Sequence, residues 1–276
     1  MGKRIRWLLI TALGVLTPSF AQAQATDVFP AVFTGFLSHP RYDAGGFYVG
    51  VDFLFLQGPS GASPDSILSL GYRTEDGTVY QFSWWSQWFN PVNLNGLAFQ
   101  GTKLEIIDFT FRLKAYETDC FRSFTTLGPR LILYSQDLTD PVFGFTNYNV
   151  DNNQIGFFIG SINEWYLGSN PLGAFSFTLE GEAGLYVDEV RQVAGAGQFG
   201  SVATTSFSLT GSLQGKLGFI WYPWEAISIH AGVDVLWLLN EQAGHQPQFL
   251  AGAVSAQLTS VWPWYAGLYL GFGFVF

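Results

Sequence analysis

Residues 264–276 read WYAGLYLGFGFVF, and the run sorts its side chains by parity. Trp264, Ala266, Leu268, Leu270, Phe272, Phe274 and Phe276 share one parity; Tyr265, Gly267, Tyr269, Gly271, Gly273 and Val275 share the other. Successive side chains of a strand point to opposite faces, so the run presents one continuous apolar face backed mostly by glycine and tyrosine. It is long enough to cross a bilayer as a tilted strand. The same period recurs upstream. Phe47, Val49, Val51, Phe53 and Phe55 alternate with Tyr48, Gly50, Asp52, Leu54 and Leu56. Ile107, Phe109, Phe111 and Leu113 alternate with Asp108, Thr110, Arg112 and Lys114. Leu127, Leu131 and Leu133 oppose Thr126, Arg130 and Tyr134. Phe175, Phe177, Leu179, Ala183, Leu185 and Val187 oppose Glu180, Glu182, Tyr186 and Asp188. Phe207, Leu209, Leu213, Leu217 and Phe219 oppose Gln214 and Lys216, and Ile227, Ile229, Val233, Val235 and Trp237 oppose Ser228, His230 and Asp234. Full charges on one face and Phe and Leu on the other predict an all-β sheet with its apolar face in lipid. Such a sheet must close on itself, because a free backbone edge in hydrocarbon is too costly.

The rest of the composition agrees. Lys3, Arg4 and Arg6 precede an apolar stretch, residues 7–16, too short to span a membrane. Ala21-Gln22-Ala23 then offers a cleavage site before Gln24, with Ala23-Gln24-Ala25 an equal formal match. The expected organisation is a signal peptide over 1–23, a periplasmic leader over 24–45 and a transmembrane barrel over 46–276. Hydrophobic residues make up 48% of the chain, yet no other stretch approaches the apolar length of a membrane helix. Thirty-two glycines, 18% aromatics and only 12% charged residues suit strands with one lipid face. The 21 acids outnumber the 12 bases, three of which lie in the signal, so a nucleic-acid partner is not expected. Cys120 is the single cysteine, which excludes an intramolecular disulfide. It reads as a tolerated thiol, with an intermolecular bridge as the alternative. No cysteine–histidine spacing points to a metal, and no cofactor is expected.

Connection lengths set the topology. Short links are expected at 117–122, 166–172 and 222–225, and long ones at 136–152, 189–202 and 240–262. Their alternation matches periplasmic turns and external loops. Residues 66–73 and 78–88 flank Thr74-Glu75-Asp76-Gly77, and Asp-Gly is a strong hairpin signal. Because Tyr80, Phe82 and Trp84 alternate with Gln81, Ser83 and Trp85, this hairpin is placed in the wall. The result is an antiparallel up-and-down β-barrel of about ten strands, with eight or twelve as alternatives. Trp165 and Tyr166, Trp221 to Trp224, Trp84 to Trp88 and Trp262 to Tyr265 are expected to form two interfacial belts. A sugar platform is the alternative for Trp84, Trp85 and Trp88.

A terminal strand ending on Phe276 resembles the closing strand and assembly signal of bacterial outer-membrane β-barrels, a likeness that covers the whole mature length. It implies residence in the outer-membrane bilayer. It also implies recognition by the barrel-assembly machinery through Tyr265, Leu270, Phe272, Phe274 and Phe276. More narrowly, three stretches are similar to the Legionella-type pore-forming outer-membrane proteins and their planctomycete relatives. These are Gly46-Phe47-Tyr48-Val49-Gly50-Val51-Asp52, the hairpin Leu70-Gly71-Tyr72-Arg73…Glu75-Asp76-Gly77, and the strands at 106–114 and 128–134. That family implies a pore and supplies no catalytic motif.

The expected lumen-lining set is Asp52, Asp108, Arg112, Lys114, Arg130, Glu180, Glu182, Asp188, Lys216, His230 and Asp234. Opposite charges in a narrow barrel pair to avoid burying a bare ion. An open lumen with this balance would mildly prefer cations. Three function classes follow, in this order: a small pore passing ions or solutes; a non-conducting structural or adhesive barrel acting through its loops; and an outer-membrane enzyme. The last needs a histidine beside a carboxylate or serine. His230 and Asp234 share a face but lie about 13 Å apart along a strand at about 3.3 Å per residue. His39 and His245 remain, the latter beside Asn240 and Glu241 in a loop expected to be solvated.

Overall fold

The computed structural model describes residues 46–58, 61–74, 78–89, 93–94, 97–140, 145–195, 201–224, 227–244, 248–250, 253–255 and 258–275. The signal peptide, the leader, His39, His245 and Phe276 lie outside them.

The wall consists of β1 (Gly46–Gly58), β2 (Gly61–Arg73), β3 (Val79–Phe89), β4 (Leu97–Glu117) and β5 (Phe121–Asp140), followed by β6 (Phe145–Asn170), β7 (Gly173–Gly195), β8 (Ser201–Trp224), β9 (Ile227–Leu239) and β10 (Trp264–Val275). Each strand is antiparallel to the next, and β10 closes the ring on β1 from Tyr48↔Val275 to Gln57↔Ala266. The expected ten-strand up-and-down barrel is what the chain forms, and the hairpin around 74–78 belongs to its wall. Outward residues form an apolar girdle that includes Phe157, at 70% exposed, and Phe207, at 73%. In water such a surface would be a severe liability; it is the lipid-facing surface of a membrane barrel.

The wall is uneven in height. β9 and β10 have 13 and 12 residues, whereas β6, β7 and β8 have 26, 23 and 24. A 12-residue strand is about 40 Å long, which once tilted matches the ~25 Å apolar band. The extra length of β5 to β8 corrects the reading of 136–152 and 189–202 as long loops: most of both segments is strand. Above the girdle Asp137, Asn149, Asp151, Asn153, Glu189 and Arg191 face outward. Water is there on the outer side, so alternation no longer marks the strand. The remaining long connection carries two small pairings of its own, Glu241–Gly244 with Leu258–Val261 and Gln248–Leu250 with Ala253–Ser255.

At the other rim the turns are tight. Asn170 Oδ1 accepts a hydrogen bond from Leu172 N at 2.8 Å, and the Trp221 indole donates to Leu172 O at 2.8 Å. Gly173 has φ +124°, and a Cβ there would strike the Tyr222 carbonyl, so only glycine completes this turn. The aromatic doublets correct the two-belt expectation in part. Trp165, Trp84 and Trp264 face outward, while their neighbours Tyr166, Trp85 and Tyr265 are buried inside. Strand parity splits each doublet, and it also prevents Trp84 and Trp85 from forming one sugar platform.

Candidate functional site: an apolar storey and a charged cavity in the lumen

The inner face falls into two storeys. Toward the long-loop end, Leu54, Leu56, Ile67, Trp85, Leu104, Ile106, Ile132, Tyr134, Tyr186, Leu236, Leu238, Tyr265 and Tyr269 form one contiguous cluster. Every wall strand except β6 and β8 contributes. Leu104, Ile132 and Leu238 are 0% exposed, so solvent does not reach these side chains within the cluster.

Above this storey the chain leaving β9 turns inward at Asn240, whose φ of 64° is the left-handed conformation that asparagine tolerates. Its side-chain amide donates to Leu209 O at 2.7 Å. Asn152 on β6 then clamps the backbone of Gln242: its amide donates to Gln242 O at 3.0 Å, and its carbonyl accepts from Gln242 N at 3.3 Å. Gln154 donates to both Glu241 oxygens at 2.6 Å. Glu241 is thus fully buried, which corrects its expected place in a solvated loop. Burial pushes its carboxyl up to about 8, a shift that the Gln154 hydrogen bond opposes and the Asp188 charge reinforces.

Toward the short-turn end lies a cavity of about 310 Å³. Its lining extends to Arg73, Arg122, Ile227 and Gly273, residues at or beside the ends of their strands, so it reaches that mouth. The charges around it are largely paired. Arg130 Nε donates to Asp108 Oδ1 at 2.6 Å, and its Nη2 donates to Asp108 Oδ2 and to Glu182 Oε2, both at 2.9 Å. Its guanidinium also lies 4.3 Å from the Phe158 ring centroid. Asp234 accepts at both oxygens from the Gln214 amide at 3.1 Å and forms an ion pair with Lys216 at 3.6 Å. His230 meets Asp52 rather than Asp234. Gly271 stands between them in register, and a Cβ there would strike both side chains.

The other members of the lumen set are placed as follows. Arg112 and Glu180 line the cavity. Asp188 is buried above it, accepting from Ser208 at 3.4 Å. Lys114 is exposed at the short-turn rim and bonds Glu117 at 2.9 Å, outside the cavity. It follows the inward parity, but a register irregularity after it and the strand's end carry it clear of the interior. Sequence reasoning missed a third buried group, Arg122–Glu164 at 3.0 Å with the Tyr222 hydroxyl donating to Glu164 at 2.9 Å. Arg122, Phe124 and Thr126 share a parity, which extends the strand through a residue the reading had assigned to a turn. Of the closing strand's signal residues, Leu270 and Phe274 face lipid and Tyr265 faces the apolar storey.

The ring closed by β1 and β10, with its apolar girdle outside and its charges inside, decides the architecture. The fold is that of a bacterial outer-membrane β-barrel. Among solved structures, the barrel is similar to the outer-membrane protease OmpT of Escherichia coli, with 9% identity, a TM-score of 0.53, and coverage of 84% of this chain and 94% of that one. It also matches a major outer membrane protein from Thermus thermophilus, at 12% identity and a TM-score of 0.42, over 84% of this chain and 100% of the other. The translocator domain of the autotransporter NalP from Neisseria meningitidis matches at 16% identity and a TM-score of 0.42, over 87% and 90%. At such identities the likeness to OmpT is one of fold, not of activity. No protein-family profile and no curated protein matches the chain, so the narrower resemblance to the Legionella-type pore proteins has no support from these comparisons.

Proposed function

We propose that this chain is an outer-membrane barrel that is sealed at rest toward the cell exterior and offers a charged cavity to the periplasm. The contiguous, largely apolar storey carries this reading: an ion crossing it would lose its hydration and find only a few tyrosine hydroxyls, two of them already hydrogen-bonded to Gln136 and Ser212, to replace it. The short turns then face the periplasm and the tall wall faces outward. The signal peptide over 1–23 delivers the chain, the barrel-assembly machinery reads β10, and the leader over 24–45 stays periplasmic. N-terminal sequencing of the protein from outer-membrane fractions checks the first of these, with Gln24 expected as the first residue.

The deciding experiment is single-channel recording of the folded protein in a planar bilayer. Silence at modest voltage is expected. Discrete, reproducible steps from the unaltered protein would overturn the sealed reading. The cavity and its charges favour a second reading, a small pore of mild cation preference. That reading requires the apolar storey and the segment Glu241–Gly244 above it to move aside together. Reversal potentials favouring anions would sink it.

A further inference from the structure

Arg73 at the mouth has a partner of its own, and once the pairs described above are made two charged side chains on the cavity are left over. Lys216 stands directly opposite both Glu180 and Asp234 in register, and its ammonium pairs with Asp234. Glu180 therefore lines the cavity with no hydrogen bond or ion pair to any described residue. Arg112 is in the same position with the opposite sign, and its Nε is buried without a partner. The Tyr48 hydroxyl, the Thr126 hydroxyl and Arg130 Nη1 are also buried and unpartnered, and all three residues line the same cavity. Thr126 faces Arg112 directly across the β4–β5 pairing.

One flank of the cavity thus holds donors without acceptors, and another holds an acceptor without donors. Buried polar groups left in this way cost free energy that a complementary ligand would recover. Lys216 and Arg112 act on Glu180 only through space, so an anion alone would leave Glu180 without a hydrogen-bonding partner, and a cation alone would leave Arg112 so. The space, about 310 Å³, lies at the small end of ligand pockets, which run from roughly 300 to 1,000 Å³. We propose that the cavity binds a small zwitterion of amino-acid or dipeptide size, its carboxylate on Arg112 beside Thr126 and Tyr48 and its ammonium on Glu180. This rests on the cavity alone and not on whether the barrel conducts, so silence or conductance in a bilayer leaves it standing.

The test is isothermal titration calorimetry on the folded protein in detergent at low salt, with alanine, alanyl-alanine, acetate and methylammonium as probes. A charge-assisted hydrogen bond is worth more than the ~1.4 kcal/mol of a tenfold change, so a zwitterion is expected to bind at least about tenfold more tightly than acetate or methylammonium. Arg112→Gln should abolish zwitterion and acetate binding alike. Glu180→Gln should lower the zwitterion to the level of acetate while leaving acetate no weaker. Heat-modifiable mobility on gels reports folding, and Arg112→Lys, which keeps the charge, should retain a weakened site if Arg112→Gln fails to fold. Equal binding of all the probes, no binding, acetate as tight as alanine, or an unchanged alanine affinity in Glu180→Gln would overturn the proposal.

Discussion

The two storeys of the lumen fill the same ring of strands with opposite chemistry. In the outer one Leu, Ile, Trp and Tyr from strands all around the barrel interlock as they would in a soluble core. In the inner one the space is spanned by ion pairs, chiefly Arg130 with Asp108 and Glu182, and a cavity remains. Apolar packing is non-directional and close, so it leaves no path. Ion pairs are directional, each needs its own geometry, and residues such as Arg112 and Glu180 can be left facing open space. On the proposed reading, sealing and selectivity fall to different heights of one wall.

The sharpest way to break this comparison is to thin the outer storey. Leu54→Ala combined with Tyr186→Ala and Tyr265→Ala should turn a silent barrel into a conducting one, at about 2–5 kcal/mol of stability per truncation. Deleting residues 245–257 alone should leave it silent; conduction after that deletion would make the segment, not the storey, the seal. Next in size, Arg130→Met strands two buried carboxylates and should cost about 3–5 kcal/mol, read from the denaturant midpoint. Adding Asp108→Asn and Glu182→Gln should restore much of it.

The third effect depends on pH. Glu241 titrates near 8 when folded and near 4.5 when unfolded, so folding favours its protonated form. Its contribution is intact below 4.5 and is progressively lost as the pH rises to about 8. Proteolysis within residues 245–257 should therefore accelerate as the pH rises from about 4.5 to about 8, and Glu241→Gln should flatten that dependence. The smallest effect is Tyr222→Phe, which removes one hydrogen bond to Glu164 and should lower stability by about 1–2 kcal/mol without altering conductance.

Much of the fold was legible in the chain because lipid imposes strict alternation on every strand that faces it. The charged residues of the inner storey stood out for the same reason. The outer storey was written just as plainly but reads as a loss of signal. Leu54 and Leu56 beside Phe53 and Phe55, Ile132 between Leu131 and Leu133, and Leu236 and Leu238 around Trp237 turn alternation into continuous apolar runs. Such a run marks a strand buried on both faces. What no local pattern could supply is the pairing across the lumen. Gln154 and Glu241, or His230 and Asp52, come together only through the register of the strands between them.

The order in which the barrel is made gives β10 a weight beyond its length. It is the last wall strand to be synthesised, and it zips β9 to β1. It also delivers Tyr265 and Tyr269 to the apolar storey, and Gly271 to the gap across which His230 reaches Asp52. Until β10 docks, the ring is open and both interior layers lack the residues that it brings; ring closure and the completion of the interior thus depend on the same strand.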